Sequence, residues 1–338
     1  MHSVMQDDSY RVLSIQSHMV SGYCGNKAAV FPLQTLGFDV DILNTVQFSN
    51  HTGYSSWTGG RLNEKDVQDL FDGLERNGLT GAYTHILTGY IGNYAILETI
   101  EHFVQKLKET NPDLVYVCDP VMGDWGRLYV AQEIVPLYRN IMRISDVATP
   151  NQFEAEVLTD IKIDSLATAR QAAQKLHEFG VPNVVITTLK LPIVDVPEDI
   201  LLPGATDNSL YCFTSQAESM QQHLISFPTY RGYFTGTGDM FSALVVARYQ
   251  EQPKSSPTAL ADAVKRVVST VNALTRRTWE HQKKYLPIVS NGAVTELDGR
   301  PSDPALVYAC ELQMVKGKAE IENPDLVGKN VIKMTRLH

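Results

Sequence analysis

The sequence predicts an α/β protein with a mostly parallel central sheet, helices on both faces and an antiparallel edge. Three observations carry this reading. Short apolar runs alternate with helical patterns through the first two thirds of the chain, a βαβα rhythm. The 338 residues are 43% apolar, enough for a sizeable core. Polar clusters sit at the ends of the apolar runs, where open parallel sheets place their ligands.

The elements follow in order. Residues 11–16 read as a first strand. Residues 26–36 form a helix with Ala29, Leu33 and Leu36 on one face and Gly37 as its stop. Residues 40–46 are a second strand. Val67, Leu70, Phe71 and Leu74 mark a helix ending near Gly78, and 85–88 is a strand. Leu97, Ile100, Val104 and Leu107 mark a helix closed before Pro112. Strands follow at 114–118 and 146–149, then a helix at 165–179 and a strand at 183–187. The segment 189–209, rich in Pro, Asp and Gly, reads as a loop and a poor place for essential chemistry. Residues 211–227 suggest two antiparallel strands at one edge. Helices follow at 239–250 and 257–281, and the tail from 282 carries a short strand at 306–312. No linker is visible. Residues 1–9 are expected to be flexible, and 10–338 to form one domain.

Composition narrows the function classes. The charged fraction is 20% and the net charge is −9, which argues against non-specific nucleic-acid or anionic-membrane binding. Cys24, Cys118, Cys212 and Cys310 lie far apart, without the close pairs of zinc sites. Free, buried thiols in a reducing compartment are expected. No run is apolar enough to span a membrane, and the N-terminus does not resemble a signal peptide. A cytosolic protein is the default.

Candidate chemistry clusters at strand ends: Ser17-His18, Asp119 to Asp124, Thr149 to Glu154, Thr187-Thr188, and Gly236-Thr237-Gly238-Asp239. Together they would line one crevice. Met240, Leu244 and Ala247 are at helical spacing, so a helix starts near Asp239. Its first amides lack intrahelical partners and suit an anion such as a phosphate, with the two glycines keeping side chains clear. Equally, Asp239 could be a plain N-cap. Asp119 and Asp124 could hold a hard cation that bridges phosphates, or make an Asp-Pro turn. Glu154 could cap its own helix start or orient water on Mg2+. His18 and His51 are candidate acid–base groups or structural residues. Neither a P-loop nor a three-glycine dinucleotide fingerprint occurs.

With these residues in hand, roughly residues 10–280 resemble the pyridoxal kinases of the ribokinase-like superfamily. The blocks that carry the resemblance are Leu13-Ser14-Ile15-Gln16-Ser17-His18, Gly22-Tyr23-Cys24-Gly25-Asn26, and the run from Val46 to Tyr54. Further blocks are Leu87-Thr88-Gly89-Tyr90, Val117 to Asp124, Thr149 to Glu154, and Gly236 to Asp239. The segment 189–209 and the tail from 282 are poorly covered.

The resemblance implies transfer of the ATP γ-phosphoryl group to the 5′-hydroxymethyl group of pyridoxal, pyridoxine or pyridoxamine. It implies Asp239 as general base, with Gly236, Thr237 and Gly238 forming the anion hole. Ser17 and Thr52 would hydrogen-bond the vitamin ring, and Val20 and Tyr90 would flank it. Asp119, Thr149 and Thr187 would hold a monovalent cation, K+ or Na+. Asp124 and Glu154 would lie on the Mg2+ side, partly through water. Asn151, Thr188 and Thr237 would contact the phosphates, and Tyr230, Arg231, Gly232 and Phe234 would lie along the nucleotide. The segment after Asp124 is shorter than the flap-like loop of animal members and offers Arg127 as a phosphate contact. Residues 230–235 also depart from the animal pattern. A homodimer with one complete site per subunit is implied. The rivals are a kinase for hydroxymethylpyrimidine and a non-catalytic pyridoxal phosphate carrier.

Overall fold

The computed structural model describes residues 10–124, 126–253, 255–285, 301 and 303–338. The segment 1–9 therefore lies outside the described residues. The first half of the chain carries β1 (Arg11–Met19), α1 (Asn26–Thr35), β2 (Asp39–Phe48), β3 (Gly59–Arg61), α2 (Glu64–Arg76), β4 (His85–Thr88) and α3 (Tyr94–Thr110). Next come β5 (Val115–Cys118), β6 (Gly123–Asp124), β7 (Arg127–Leu128), α4 (Ile134–Met142), β8 (Val147–Ala148), α5 (Gln152–Thr159) and α6 (Leu166–Phe179). The remainder is β9 (Asn183–Lys190), β10 (Leu210–Gln216), β11 (Gln221–Ser226), α7 (Thr237–Gln250), α8 (Ala259–Gln282), α9 (Pro304–Ala309), α10 (Lys318–Glu322), α11 (Pro324–Gly328) and β12 (Lys333–Leu337).

Ten strands form one sheet in the order β12-β11-β10-β9-β8-β5-β4-β1-β2-β3. The run from β9 to β2 is parallel. Both flanks are antiparallel: β10, β11 and β12 on one side, β3 on the other. The sequence reading had one antiparallel edge ending at β11. Instead β12 covers it, pairing Gln222 with Leu337 through Ser226 with Lys333.

Strand side chains alternate between two apolar layers. Leu13, Ile15, Ile86, Tyr116, Val184 and Ile186 face one layer with α2 to α6. Val12, Leu87, Val117, Val147 and Val185 face the other with α1, α7 and α8. Each fully buried Leu, Ile or Val contributes about 1.5–3 kcal/mol relative to exposure, so both faces are held shut. Every α7 residue from Met240 to Arg248 is buried. That helix is enclosed by α1, α8 and the sheet, which fixes the position of its N-terminus.

Local chemistry explains the helix starts. Asn63 and Asp66 form a capping box on α2, Asn151 and Glu154 one on α5, and Ser165 and Thr168 one on α6. The segment expected as a strand at 306–312 is instead largely α9. Asp303 caps it by accepting from Ala305 N at 2.8 Å, and Pro304 occupies the first turn. This Asp-Pro helix-start signature outweighs the apolar run that suggested a strand. The segment 189–209 is irregular as expected, although β9 extends into it to Lys190, and Leu191, Val196 and Ile200 are buried beneath it. No described helix is long and apolar enough to cross a membrane.

Candidate active site

The parallel order reverses direction between β1 and β4, the switch point where open α/β sheets form a crevice. The predicted residues gather along the carboxyl ends of these strands. Ser17 and Thr187-Thr188 lie inside β1 and β9 rather than after them, since both strands run longer than their apolar cores suggest.

The Gly236-to-Asp239 stretch opens α7, but Asp239 is not its cap. Gly236 is the N-cap, left-handed at φ 76°, and no side chain caps this end. Among the described residues, the first amides of α7 therefore have no side-chain acceptor. A Cβ on Gly236 would stand 1.9 Å from Tyr23 O, so only glycine fits. Asp239 reaches across to a second helix start. Its Oδ2 accepts from Gly25 N at 2.8 Å, and Gly25 is the N-cap residue of α1. Gly25 is equally constrained: φ is 57°, and a Cβ would lie 1.9 Å from Ser17 O. Two helix N-termini and the end of β1 thus converge on one carboxylate. Burial pushes the Asp239 carboxyl up, against the pull of the Gly25 amide.

Asp119 follows β5 and is 95% buried. Burial, and then the charge of Asp239, push its carboxyl up. Its Oδ2 lies 3.8 Å from where a Cβ on Gly238 would be, placing it beside the α7 start. Next to it, Thr149 Oγ1 is buried, and the hydroxyls of Ser242 and Thr149 hold the upward shift of Asp119 back. Two like charges flanked by hydroxyl oxygens form a donor set that fits a cation chemically. Glu154 is occupied differently. Its Oε1 accepts from Met122 N at 3.0 Å and Gly123 N at 3.4 Å, and its Oε2 from Asn151 N at 2.9 Å. Burial, then Asp119, raise this carboxyl, while the three amides oppose the shift. Glu154 therefore braces the loop from Asp119 to Asp124 as well as capping α5.

A cavity of about 280 Å³ opens beside these groups. Asp124, Asn151, Thr187, Thr188, Tyr230, Phe234, Thr237 and Gly238 line it, while Asp119 and Glu154, also expected on the nucleotide side, do not. Its far wall was not foreseen: Leu210, Phe227, Val268, Val271, Asn272 and Thr275 make an apolar slot from β10, the end of β11 and α8. The segment 228–235 rests on α8. Tyr230 packs on Trp279 at 5.2 Å, Asn272 Nδ2 donates to Pro228 O at 2.7 Å, and Gln282 Nε2 donates to Tyr233 O at 2.7 Å. Arg231 is exposed, and neither it nor Gly232 lines the cavity. Arg127 is exposed on β7, in register with Asp124.

Ser17, Val20, Thr52 and Tyr90 do not line this cavity. Ser17 and Val20 lie at the end of β1, Thr52 follows β2 and Tyr90 follows β4. Ser17 is buried, Val20 and Thr52 are exposed, and Tyr90 packs with Met19, Val46, Phe48 and Cys24 in a small apolar cluster. His51 is buried, with Nδ1 accepting from Gly53 N at 3.1 Å, so its proton sits on Nε2. The Nε2–H faces Glu311 Oε1 at 3.1 Å. His18 points its Nδ1 into buried surroundings without a partner among the described residues. All four cysteines are free thiols, three buried and Cys24 partly so.

Residues 81–288 match the family model described as phosphomethylpyrimidine kinase. Similarity to individual proteins runs further. The chain is 42% identical to the pyridoxal kinase of Arabidopsis thaliana over 323 residues, 95% of this chain and 94% of that one. It is 38% identical to the pyridoxal kinase of Homo sapiens over 326 residues, 95% and 98% of the two chains. Among solved structures, pyridoxal kinase from Leishmania donovani in complex with ADP and pyridoxamine matches with a TM-score of 0.79 and 34% identity, covering 98% of this chain and 100% of that one. The matched blocks, the sheet order and the converging helix starts agree: the chain belongs to the pyridoxal kinase family of the ribokinase-like superfamily.

Proposed function

We propose that the protein transfers the γ-phosphoryl group of ATP to the 5′-hydroxymethyl group of pyridoxal, and also of pyridoxine and pyridoxamine. The observation that carries this is the position of Asp239. It directly follows Thr237 and Gly238, which line the cavity, and its carboxylate accepts from Gly25 N, whose residue abuts Ser17.

ATP would occupy the cavity, its base in the apolar slot and its phosphates against the α7 start. The amides from Gly236 to Gly238 aim positive partial charge at the γ-phosphoryl group, where charge spreads in the transition state. Asp239 takes the hydroxyl proton as the new O–P bond forms and the bond to ADP breaks. Its raised pKa makes it a stronger base than an ordinary carboxylate. Asn151, Thr187 and Thr188 would hold phosphate oxygens. Ser17 and Thr52 would orient the ring, with Val20 and Tyr90 on its faces.

A bound Mg2+ would neutralise phosphate oxygens. Asp124 would hold it, with Glu154 keeping the loop in place and reaching it through water. Asp119, Thr149 and Thr187 would hold a monovalent cation beside the phosphates. The descriptions of the relatives support ATP and the B6 vitamers as substrates. We also read 10–338 as one kinase domain acting in the cytoplasm as a homodimer, to be tested by sedimentation.

The matched family model spans 81–288, which includes Asp119, Glu154 and Asp239 but not Ser17, Val20 or Thr52. It therefore speaks for phosphoryl transfer, and the vitamin assignment rests on the full-length relatives. The two readings separate in one assay: rates with pyridoxal and with hydroxymethylpyrimidine at equal concentration. Faster turnover of pyridoxal is expected, and a preference for the pyrimidine would overturn the substrate assignment.

A further inference from the structure

We infer that Glu311 is a positioning residue for the acceptor side of the crevice. The inference rests on the kinase reading above. Glu311 lies outside the 81–288 stretch matched by the family model and follows α9, yet its side chain is only 7% exposed. Its two oxygens gather groups from two separate loops. Oε2 accepts from Tyr23 N at 3.0 Å. Oε1 accepts from Tyr54 Oη–H at 3.0 Å and faces His51 Nε2–H at 3.1 Å. A Cβ on Gly22 would come within 2.4 Å of Oε1, so the carboxylate is pressed against the backbone at φ 91°.

Each loop leads to the reacting centre. The 22–25 loop ends on the Gly25 amide that holds Asp239, and its Tyr23 carbonyl abuts Gly236. The 51–54 loop carries Thr52 and is closed from the other side by Tyr233, whose Oη lies 2.1 Å from a Cβ position on Gly53. The carboxylate only accepts, and all three partners only donate toward it. Burial, then the negative charge of Glu311, raise the Tyr54 hydroxyl, keeping it a donor.

A glutamine at 311 cannot satisfy this set. Its amide nitrogen would face a donor, either Tyr23 N–H or the pair on the 51–54 loop. Turning His51 to accept from it would put Nδ1–H against Gly53 N–H. None of these groups touches the nucleotide cavity. The expected signature is therefore selective: a change in the acceptor substrate and none in ATP.

The test uses full-length Glu311→Gln and Tyr54→Phe. For Glu311→Gln, KM for pyridoxal is expected to rise about tenfold or more and KM for ATP to stay within about twofold. Tyr54→Phe should give the same selective pattern at about threefold. Hydrogen exchange should quicken at 22–25 and 51–54 in Glu311→Gln, and not at the cavity-lining 227–230. Equal rises in both KM values, or no rise for pyridoxal, would overturn the inference. If Glu311→Gln does not fold, Tyr54→Phe decides by the same split. If the wild-type protein does not phosphorylate pyridoxal, the kinase reading fails first. Exchange then decides separately: faster exchange confined to the two loops supports the role of Glu311, and unchanged or uniform exchange rejects it.

Discussion

Replacing Asp239 with Asn separates chemistry from architecture. The side chain keeps its size and an oxygen that can accept from Gly25 N, now at 2.8 Å from the carboxylate. That bond changes from charge-assisted to neutral, a loss of about 1 kcal/mol. Against this, the negative charge that helps push the Asp119 carboxyl up disappears. The two effects oppose each other, so folding stability should move by no more than about 1 kcal/mol, a few degrees in Tm. Turnover should not be spared. A positioned general base contributes about 10²–10⁴-fold, or roughly 2.7–5.5 kcal/mol of barrier. The assay is ADP formation with saturating pyridoxal and ATP, alongside calorimetric titration with ADP. We expect kcat to fall by at least about 100-fold while ADP affinity stays within about threefold. Turnover within threefold of wild type would refute the base assignment. Loss of both turnover and ADP binding would refute the claim that Asp239 stands outside the nucleotide cavity.

Other predictions follow the same geometry. Gly236→Ala forces a Cβ to 1.9 Å from Tyr23 O and costs about 1–2 kcal/mol in left-handed strain alone, so both Tm and kcat should drop; unchanged melting would contradict the contact. Asp124→Asn should raise the Mg2+ concentration for half-maximal rate about tenfold with KM for pyridoxal unchanged, checked by Mg2+ titration. His177 is partly buried, with one ring nitrogen on Val181 O at 2.7 Å and the other on Ser215 Oγ at 2.8 Å. Burial lowers its pKa below the ordinary value of 6.5, against the Val181 bond. The unfolded chain therefore binds a proton that the folded one resists, and stability is lost as pH falls below about 6.5. His177→Gln should flatten the decline of Tm between pH 7 and pH 5 relative to wild type; parallel profiles would contradict the assignment.

The parallel core was legible because β4, β5 and β9 carry short apolar centres, Ile86-Leu87, Val115 to Cys118 and Val184 to Ile186, buried on both faces for most of their length. Asp124, Asn151, Thr187 and Thr188 were legible because each lies at or just past the apolar part of a strand, whereas Asn272 and Thr275 sit within α8. What escaped depends on long-range pairing. β12 becomes a strand only by covering β11, and Lys333-Met334-Thr335-Arg336-Leu337 shows no apolar alternation of its own. α4 was passed over, although Val135, Tyr138 and Met142 recur at helical spacing. Gly25 gave no local sign that its amide would meet a carboxylate 214 residues away. The role of Asp239 was assigned by resemblance, but its partner was not: the expected cap of its own helix proved to be a tie to the start of another. Glu311 lies 288 residues from Tyr23, so nothing in its neighbourhood in the sequence marks it.

The central claim is phosphoryl transfer to a B6 vitamer, and coupled ADP release tests it most directly. The purified full chain is mixed with ATP, Mg2+ and K+, with and without pyridoxal. The account predicts ADP formation that depends on pyridoxal, with pyridoxal 5′-phosphate appearing in equal amount. ADP formation independent of pyridoxal, or none at all, would contradict it.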